Sequence, residues 1–371
     1  MTGAGAGDLV LTLVIGTGKL GAGQVVDVRI ANPRLAQPGV LLCGRSPAVA
    51  AALVPRLFSL CGHAQGAAAR AALAAAGSPV VAGPDGVDDT RAILAERLLA
   101  HAWNALIVWP GMVGQAPLPE KLAALRVAVA ALRDRPDGAG AAAVTRLLEQ
   151  AVLGHDGLPH RADDWVYWAA LAARGANGAP GALMRMALDA GGSGEPAPRL
   201  LPPRDAAWFA RHLSTRPDFG AIPMDAELGA VETGALARLA GDARLPPGPA
   251  AARIAAQLLD LAGLPARLVT GAGTTMDSQG DGAGTGCAVV ETSRGPLAHW
   301  VRVVDGRIAD WRITAPTEWN FHPDGALRRA LVGLPAGPEQ RARTIARSRA
   351  LVAGLDPCVP CRILVEERDD A

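Results

Sequence analysis

Two short runs near the N-terminus carry strand periodicity. Residues 9–15, LVLTLVI, are almost wholly apolar, and in residues 24–30, QVVDVRI, Val26, Val28 and Ile30 alternate with Asp27 and Arg29. A period of two sends one set to a buried face. Between them lies GTGKLG, residues 16–21. It matches the glycine spacing of dinucleotide-binding loops, but that chemistry needs a helix after the loop. A second strand follows here, so the reading is a hairpin loop. From Pro47 the pattern turns helical, and helices dominate through residue 175. In EKLAALRVAVAALRDR, Leu122, Leu125, Val129 and Leu132 share one face. Residues 176–205 are rich in Gly and Pro and read as irregular. A helix is expected over Pro249–Ala262, opened by its proline and closed by Gly263. A Gly-rich loop spans 271–286, and LAHWVRVV and RIADWRI then flank Asp305-Gly306, a hairpin turn pair. A basic helix over 338–353, with Arg341, Arg343, Arg347 and Arg349, leads to the final DPCVPC.

These elements predict a mainly α protein with small β hairpins near 9–30 and 287–313, an α+β single domain over 1–371. The chain has 371 residues, enough for one large core or two ordinary domains. No internal repeat or obvious linker divides it. Aromatics make up 4%, so Leu, Val, Ala and eight Trp must fill the core. The formal net charge of +1, with both signs interspersed, gives no footprint for nucleic acid. The N-terminal apolar run lacks an early Lys or Arg, which argues against a signal peptide. Asn104, Pro110, Gly111 and Gln115 interrupt the apolar stretch 102–118, so no membrane insertion is expected. The expectation is a soluble, cytoplasmic protein with reduced thiols.

Five cysteines, at 43, 61, 287, 358 and 361, are too few and too scattered for a disulfide framework. Cys358 and Cys361 are three residues apart, beside the C-terminus. Such a pair can be a redox couple, half of a zinc site or part of a larger metal centre. The prolines of Asp-Pro-Cys-Val-Pro-Cys stiffen the loop, and thiolates select soft or borderline metals such as iron, nickel or zinc. A thiol pair without a ligand remains the plain alternative. Cys61 follows an apolar run, RLFSLC, and His63 comes two residues later. Taken singly, a buried small hydrophobe and a hydrogen-bonded histidine explain them.

The order of the pieces changes the picture. RLFSLC (56–61), ETSRGPLAHW (291–300), PTEWN (316–320) and DPCVPC (356–361) resemble, in sequence order, segments of the large subunit of nickel–iron hydrogenases. VETGALAR (231–238) and GRSP (44–47) are similar to two more of its segments. The departures are specific. The first cysteine of the N-terminal pair is Phe58, the family's histidine position is Gln65, and LAQPGVLLC lacks the catalytic glutamate expected just before GRSP. The residue where the family's processing site falls is Leu364, in a short acidic end, so residues 362–371 hold no recognisable cleavage site.

This combination is similar to the HupK/HoxV family of hydrogenase accessory proteins. The resemblance implies a single hydrogenase-large-subunit-like domain of reduced size, and a scaffold in place of an enzyme. That scaffold would hold an Fe(CN)2(CO) fragment and pass it to the large-subunit precursor. It implies Cys61 and Cys361 as iron ligands with Cys358 beside them, and nickel is not expected because Phe58 replaces a terminal ligand. Arg294, Pro316 and Thr317 would surround the diatomic ligands, with His63 as a further neighbour. Partners would be a small HypC-type chaperone and the hydrogenase large-subunit precursor. Two other readings stay open at this point. One is a reduced but active hydrogenase-like enzyme, and the other is a redox or zinc protein that uses Cys358 and Cys361 alone. Cys43 and Cys287 match no motif and read as structural.

Overall fold

The computed structural model describes residues 8–17, 21–32, 38–58, 60–79, 88–175, 178–190, 196–273 and 276–369. The expected N-terminal hairpin is present: β1 (Leu9–Gly16) pairs antiparallel with β2 (Val25–Ala31). Residues 18–20 of its glycine loop, and residues 35–37 of LAQPGVLLC, lie outside the described residues.

The helical run follows as α1 (Pro47–Leu57), α2 (Gly62–Ala75), α3 (Asp89–Trp103) and α4 (Pro119–Asp134). Side chains satisfy the open amides at several starts. Ser46 accepts from Val49 N–H ahead of α1, and Asp88 accepts from Thr90 N–H ahead of α3. Past Trp103 the chain makes one π-helical turn, Asn104–Val108, before the short helix Trp109–Met112. Pro110 has no N–H to offer the Leu106 carbonyl, and Leu118 N–H takes that acceptor at 2.8 Å.

Three stretches before the C-terminal segment differ from the sequence expectation. Residues 178–190, expected to be irregular, form a helix that buries Leu183, Met184 and Ala187. Its Gly and Pro residues stand in the first turn, where no intrahelical N–H is lost. The helix α5 (Pro249–Thr270) runs straight past Gly263 and Pro265, and closes at Gly271 in the left-handed conformation. Ile254, Leu258, Leu261, Leu264 and Leu268 keep one face buried across the break. That packing outweighs the roughly 3 kcal/mol an interior proline costs. The Gly-rich loop 271–286 contains a strand, β3 (Met276–Gly280), and the start of β4 (Thr285–Thr292); residues 274–275 lie outside the described residues.

β3 and β4 continue into β5 (Gly295–Val304) and β6 (Arg307–Thr314), a four-stranded antiparallel meander. Asp305 and Gly306 both have positive φ, 49° and 70°, as the predicted tight turn requires. The meander is packed on both faces. Ala288, Val290, Leu297 and Val301 join the alanine-rich face of α2, while Cys287, Val289, Ala298 and Trp300 join Phe209, Leu213 and Trp319. At Gly286 a Cβ would lie 2.0 Å from the Ala72 carbonyl oxygen, so only glycine lets α2 approach this closely. The chain then makes α6 (Pro316–Asn320) and α7 (Arg341–Leu355).

The C-terminal segment, read from sequence as a short acidic end, is a strand. β7 (Cys361–Arg368) pairs in parallel with β1 and completes a three-stranded sheet in the order β2-β1-β7. Leu9, Leu11 and Leu13 of β1 enter the main core with Leu258 and Leu261 of α5 and Leu351 and Leu355 of α7. No described helix is long and apolar enough to cross a membrane.

One buried carboxylate ties these layers together. Asp260, on α5, is 1% exposed. It accepts from Arg97 Nε (2.8 Å) and His101 Nε2 (2.9 Å) of α3, from Arg238 Nη2 (3.0 Å) and from Arg267 Nη1 (3.2 Å). Burial opposes its charge, but Arg238, His101 and Arg97 hold its carboxyl well below the usual range. Arg238 also reaches Glu291 at 2.5 Å and the carbonyls of Thr292 and Ser293 at 2.8 and 2.7 Å. The β4–β5 turn is thereby fixed to the helical body. Asp260→Asn is expected to cost about 3–5 kcal/mol, because it leaves buried guanidinium groups uncompensated. Urea denaturation at neutral pH checks this, and a loss below about 1 kcal/mol, the range of an exposed pair, would show that the node carries little.

Candidate functional site

The β4–β5 turn delivers Arg294. Thr292 Oγ1 donates to the Gly295 carbonyl at 2.8 Å and accepts from Arg294 N–H at 3.2 Å, so the turn is closed by its own side chain. Arg294 is 6% exposed and points to the end of α7. There Asp356 takes the left-handed conformation (φ 54°) and stops the helix. Arg294 Nε donates to the Asp356 carbonyl at 3.0 Å, and Nη2 lies 3.0 Å from carboxylate Oδ1. Asn104, in the π-helical turn, donates to the same Oδ1 at 2.7 Å. Oδ2 of Asp356 is buried with no protein hydrogen bond. Arg294 and Asp356 thus fix the start of the Asp-Pro-Cys loop.

Cys358 follows two residues later, and Thr317 Oγ1 sits 3.3 Å from its sulfur. Pro316 opens α6 at its first position and is buried with Thr317. Cys61 stands just before α2. Gly62 permits the tight entry, since a Cβ there would lie 2.8 Å from the Pro55 carbonyl oxygen. Burial pushes the Cys61 thiol up to about 12, with the charges of Glu96 and Cys358 adding to it and Arg294 opposing. Arg294 is held above the usual arginine range: burial works against it, and Asp356, Cys358 and Cys61 outweigh burial. Four distant segments therefore bring Cys61, Arg294, Thr317 and Cys358 into one electrostatic neighbourhood.

The other predicted residues lie differently. Cys361 opens β7 opposite Leu9 and packs against the main core. Burial and then Asp8 push its thiol up to about 12, so its charged neighbour differs from those of Cys61. His63 is exposed, and its backbone N–H donates to Glu96 at 2.7 Å. Phe58 packs against the α1–α2 cluster. Cys287 is buried in the core, whereas Cys43 is exposed, and none of the five cysteines is in a disulfide. Among the described residues, no group of three or more His, Cys, Asp and Glu side chains is arranged to hold a metal ion.

Sequence reasoning missed a directed hydrogen-bond chain that ends at Cys61. Trp311 Nε1 can only donate, and it lies 3.2 Å from His299 Nδ1, which must accept. The His299 proton is then on Nε2, 2.8 Å from Gln65 Oε1. Gln65 Nε2 in turn faces Cys61 Sγ at 3.8 Å. His299 is neutral, its pKa lowered by burial to about 3. Also missed were Asn104 and Glu96. Glu96 accepts from His63 and Ala64 N–H, and burial pushes its carboxyl up to about 7. Nothing in the local sequence around either one marks it.

Comparison with known proteins gives the family and the fold. A family model for nickel-dependent hydrogenase matches residues 266–363. Hydrogenase expression/formation protein HupK of Rhizobium leguminosarum bv. viciae is 32% identical over 97% of this chain and 100% of its own length. HoxV of Cupriavidus necator, a protein of the same description, is 32% identical over 91% of this chain and 92% of its own. The chain belongs to the HupK/HoxV family of hydrogenase expression/formation proteins. The uptake hydrogenase large subunit of Rubrivivax gelatinosus is 33% identical over only 23% of this chain and 14% of its own. Among solved structures, a variant of the [NiFeSe] hydrogenase from Desulfovibrio vulgaris Hildenborough superposes with a TM-score of 0.53 at 17% identity, over 92% of this chain and 94% of that one. The HupK/HoxV chain therefore has the fold of hydrogenase large subunits.

The neutral His299 makes stability pH-dependent. Its folded pKa lies near 3, against 6.5 for an unperturbed histidine. The unfolded chain takes up a proton as pH falls below about 6.5 that the folded chain refuses until about pH 3. The stability this residue contributes is therefore complete above pH 6.5 and is lost progressively down to about pH 3. His299→Gln is expected to show a shallower fall of unfolding free energy across that window, measured by urea titrations at several pH values. An unchanged slope would place the acid sensitivity elsewhere.

Proposed function

We propose that this chain acts in hydrogenase maturation as a non-catalytic scaffold. It holds the Fe(CN)2(CO) fragment at Cys61 and the C-terminal cysteines and hands it to the large-subunit precursor. The observation that carries this reading is the convergence of Cys61 and Cys358 on Arg294 and Thr317. Thiols suit iron, while guanidinium and hydroxyl groups suit the partly negative nitrogen of cyanide. The donor set fits such cargo. The Cys61 thiol, which burial keeps protonated at neutral pH, gives up its proton when iron takes the sulfur as a ligand, so capture of iron is coupled to proton release.

The hydrogen-bond chain from Trp311 presents an amide N–H to Cys61 Sγ, which steadies the sulfur once it is a thiolate. Cys358 lies with Thr317, and Cys361 packs against the main core, so the two C-terminal sulfurs have different surroundings. This favours a Cys61–Cys358 pairing as the first contact of the fragment, with Cys361 as a further thiolate, over a dithiol that uses only the C-terminal pair. A HypC-type chaperone is the proposed donor of the fragment. The family's nickel site would need a thiolate where Phe58 packs into the core, and this supports a carrier over an enzyme.

Infrared spectroscopy tests the reading on protein purified without oxygen from cells that express the maturation machinery. One CO band and two CN bands are expected, absent in Cys61→Ser and at least strongly weakened in Cys358→Ser. A folded wild-type protein without these bands would sink the carrier function. Bands that survive Cys61→Ser would move the site to the C-terminal pair.

A further inference from the structure

Arg294 is not sealed off from solvent. A cleft of about 260 Å³ between α3 and α4 has Arg294 in its lining, together with Glu96. Another cavity touching Arg294 measures about 10 Å³, room for one water at most. Iron with three diatomic ligands has seven heavy atoms and needs on the order of 200 Å³ if each takes a water's share of volume. The larger cleft admits it and the smaller does not.

The walls are of two kinds. α3 contributes Ala92, Ala95 and Leu99, and small side chains here keep the space open. α4 contributes Arg126, Ala130 and Arg133, one turn apart on one face. Arg126 is exposed and its guanidinium lies 5.9 Å from the Trp103 ring centroid. Arg133 is half-buried beside Asp134, at 2.8 Å. Arg294 carries the third guanidinium, bridged to Asp356. Positive groups thus stand at the mouth and at the inner end of a passage whose sides are mostly apolar.

We propose that this α3–α4 cleft is the passage by which the cyanide-bearing iron fragment enters and leaves, guided by Arg126 and Arg133 toward Arg294. The inference rests on the carrier reading above. Cyanide nitrogens accept hydrogen bonds from guanidinium groups, and a cation at the mouth of a low-dielectric cleft raises the local concentration of such acceptors. The alanine and leucine side chains of the walls offer no ligand, and of the possible iron ligands in the lining, Glu96 is occupied by the His63 and Ala64 N–H groups while His63 stands at the exposed side.

The test uses the full chain, co-expressed with the maturation machinery, and follows growth of the CO and CN bands per protein after induction. Ala130→Trp fills the cleft from an exposed position of α4, and Arg126→Glu reverses the charge at its mouth. Both are expected to slow loading about tenfold, with band frequencies unchanged. Arg126→Ala, the milder change, should fall between wild type and Arg126→Glu. Wild-type loading rates in all three variants would overturn the passage and leave the carrier function standing. Shifted band frequencies would also overturn it, because they mean the metal site itself was altered. A wild type without bands would remove the carrier reading and the passage together.

Discussion

The position of Arg294 at the site depends on one buried negative charge. Asp260 gathers three arginines and a histidine from α3, α5 and the segment just before it. A carboxylate in this position is tolerable only because it is surrounded by donors, and the guanidinium groups are tolerable only because it is there. Arg238 carries the constraint outward. Its guanidinium also reaches two carbonyls of the β4–β5 turn, and that turn points Arg294 at Asp356. The charge network is thus a positioning device whose far end is the site.

The site balances two opposed demands. Cys61 is buried enough to remain a neutral thiol, yet it faces a guanidinium and an amide donor that favour a thiolate. Such a pocket is unsatisfied until a group that can take the sulfur's electron pair arrives, and it is already shaped for the thiolate that follows. A closed four-thiolate cage would be a tighter holder. Here Phe58 belongs to the core and Cys361 to a sheet edge, so fewer sulfurs converge.

Much of this was legible in the sequence. The alternation at 24–30 and the Asp305-Gly306 pair located both hairpins, because these are local signals with local causes. The collinear motifs named Cys61, Arg294, Thr317 and Cys358, which the fold brings together. What escaped was whatever depends on distant partners. Nothing near CRILVEER shows that β1 needs a neighbour, and Asn104 meets Asp356 only through a π-helical turn. The end of α5 was misjudged for a related reason: Gly263 and Pro265 are stop signals locally, and burial of Leu264 and Leu268 overrules them. Glu96 and the path Trp311–His299–Gln65 are assembled across α2, α3 and the meander, where no spacing rule reaches.

The parallel pairing of β1 with β7 also bears on timing. The first strand of the fold is central in its sheet, and its second neighbour is among the last residues described. During synthesis β1 can meet β2 at once, but one edge stays bare until nearly all of the intervening chain has been made. Contacts of such long sequence separation form late, since closing a large loop must come before any reward. The Asp-Pro-Cys loop lies directly before β7, so Cys358 is brought to Cys61 at the same late step. A nascent chain therefore has no assembled pocket, and the candidate site exists only in protein whose two ends have already found each other.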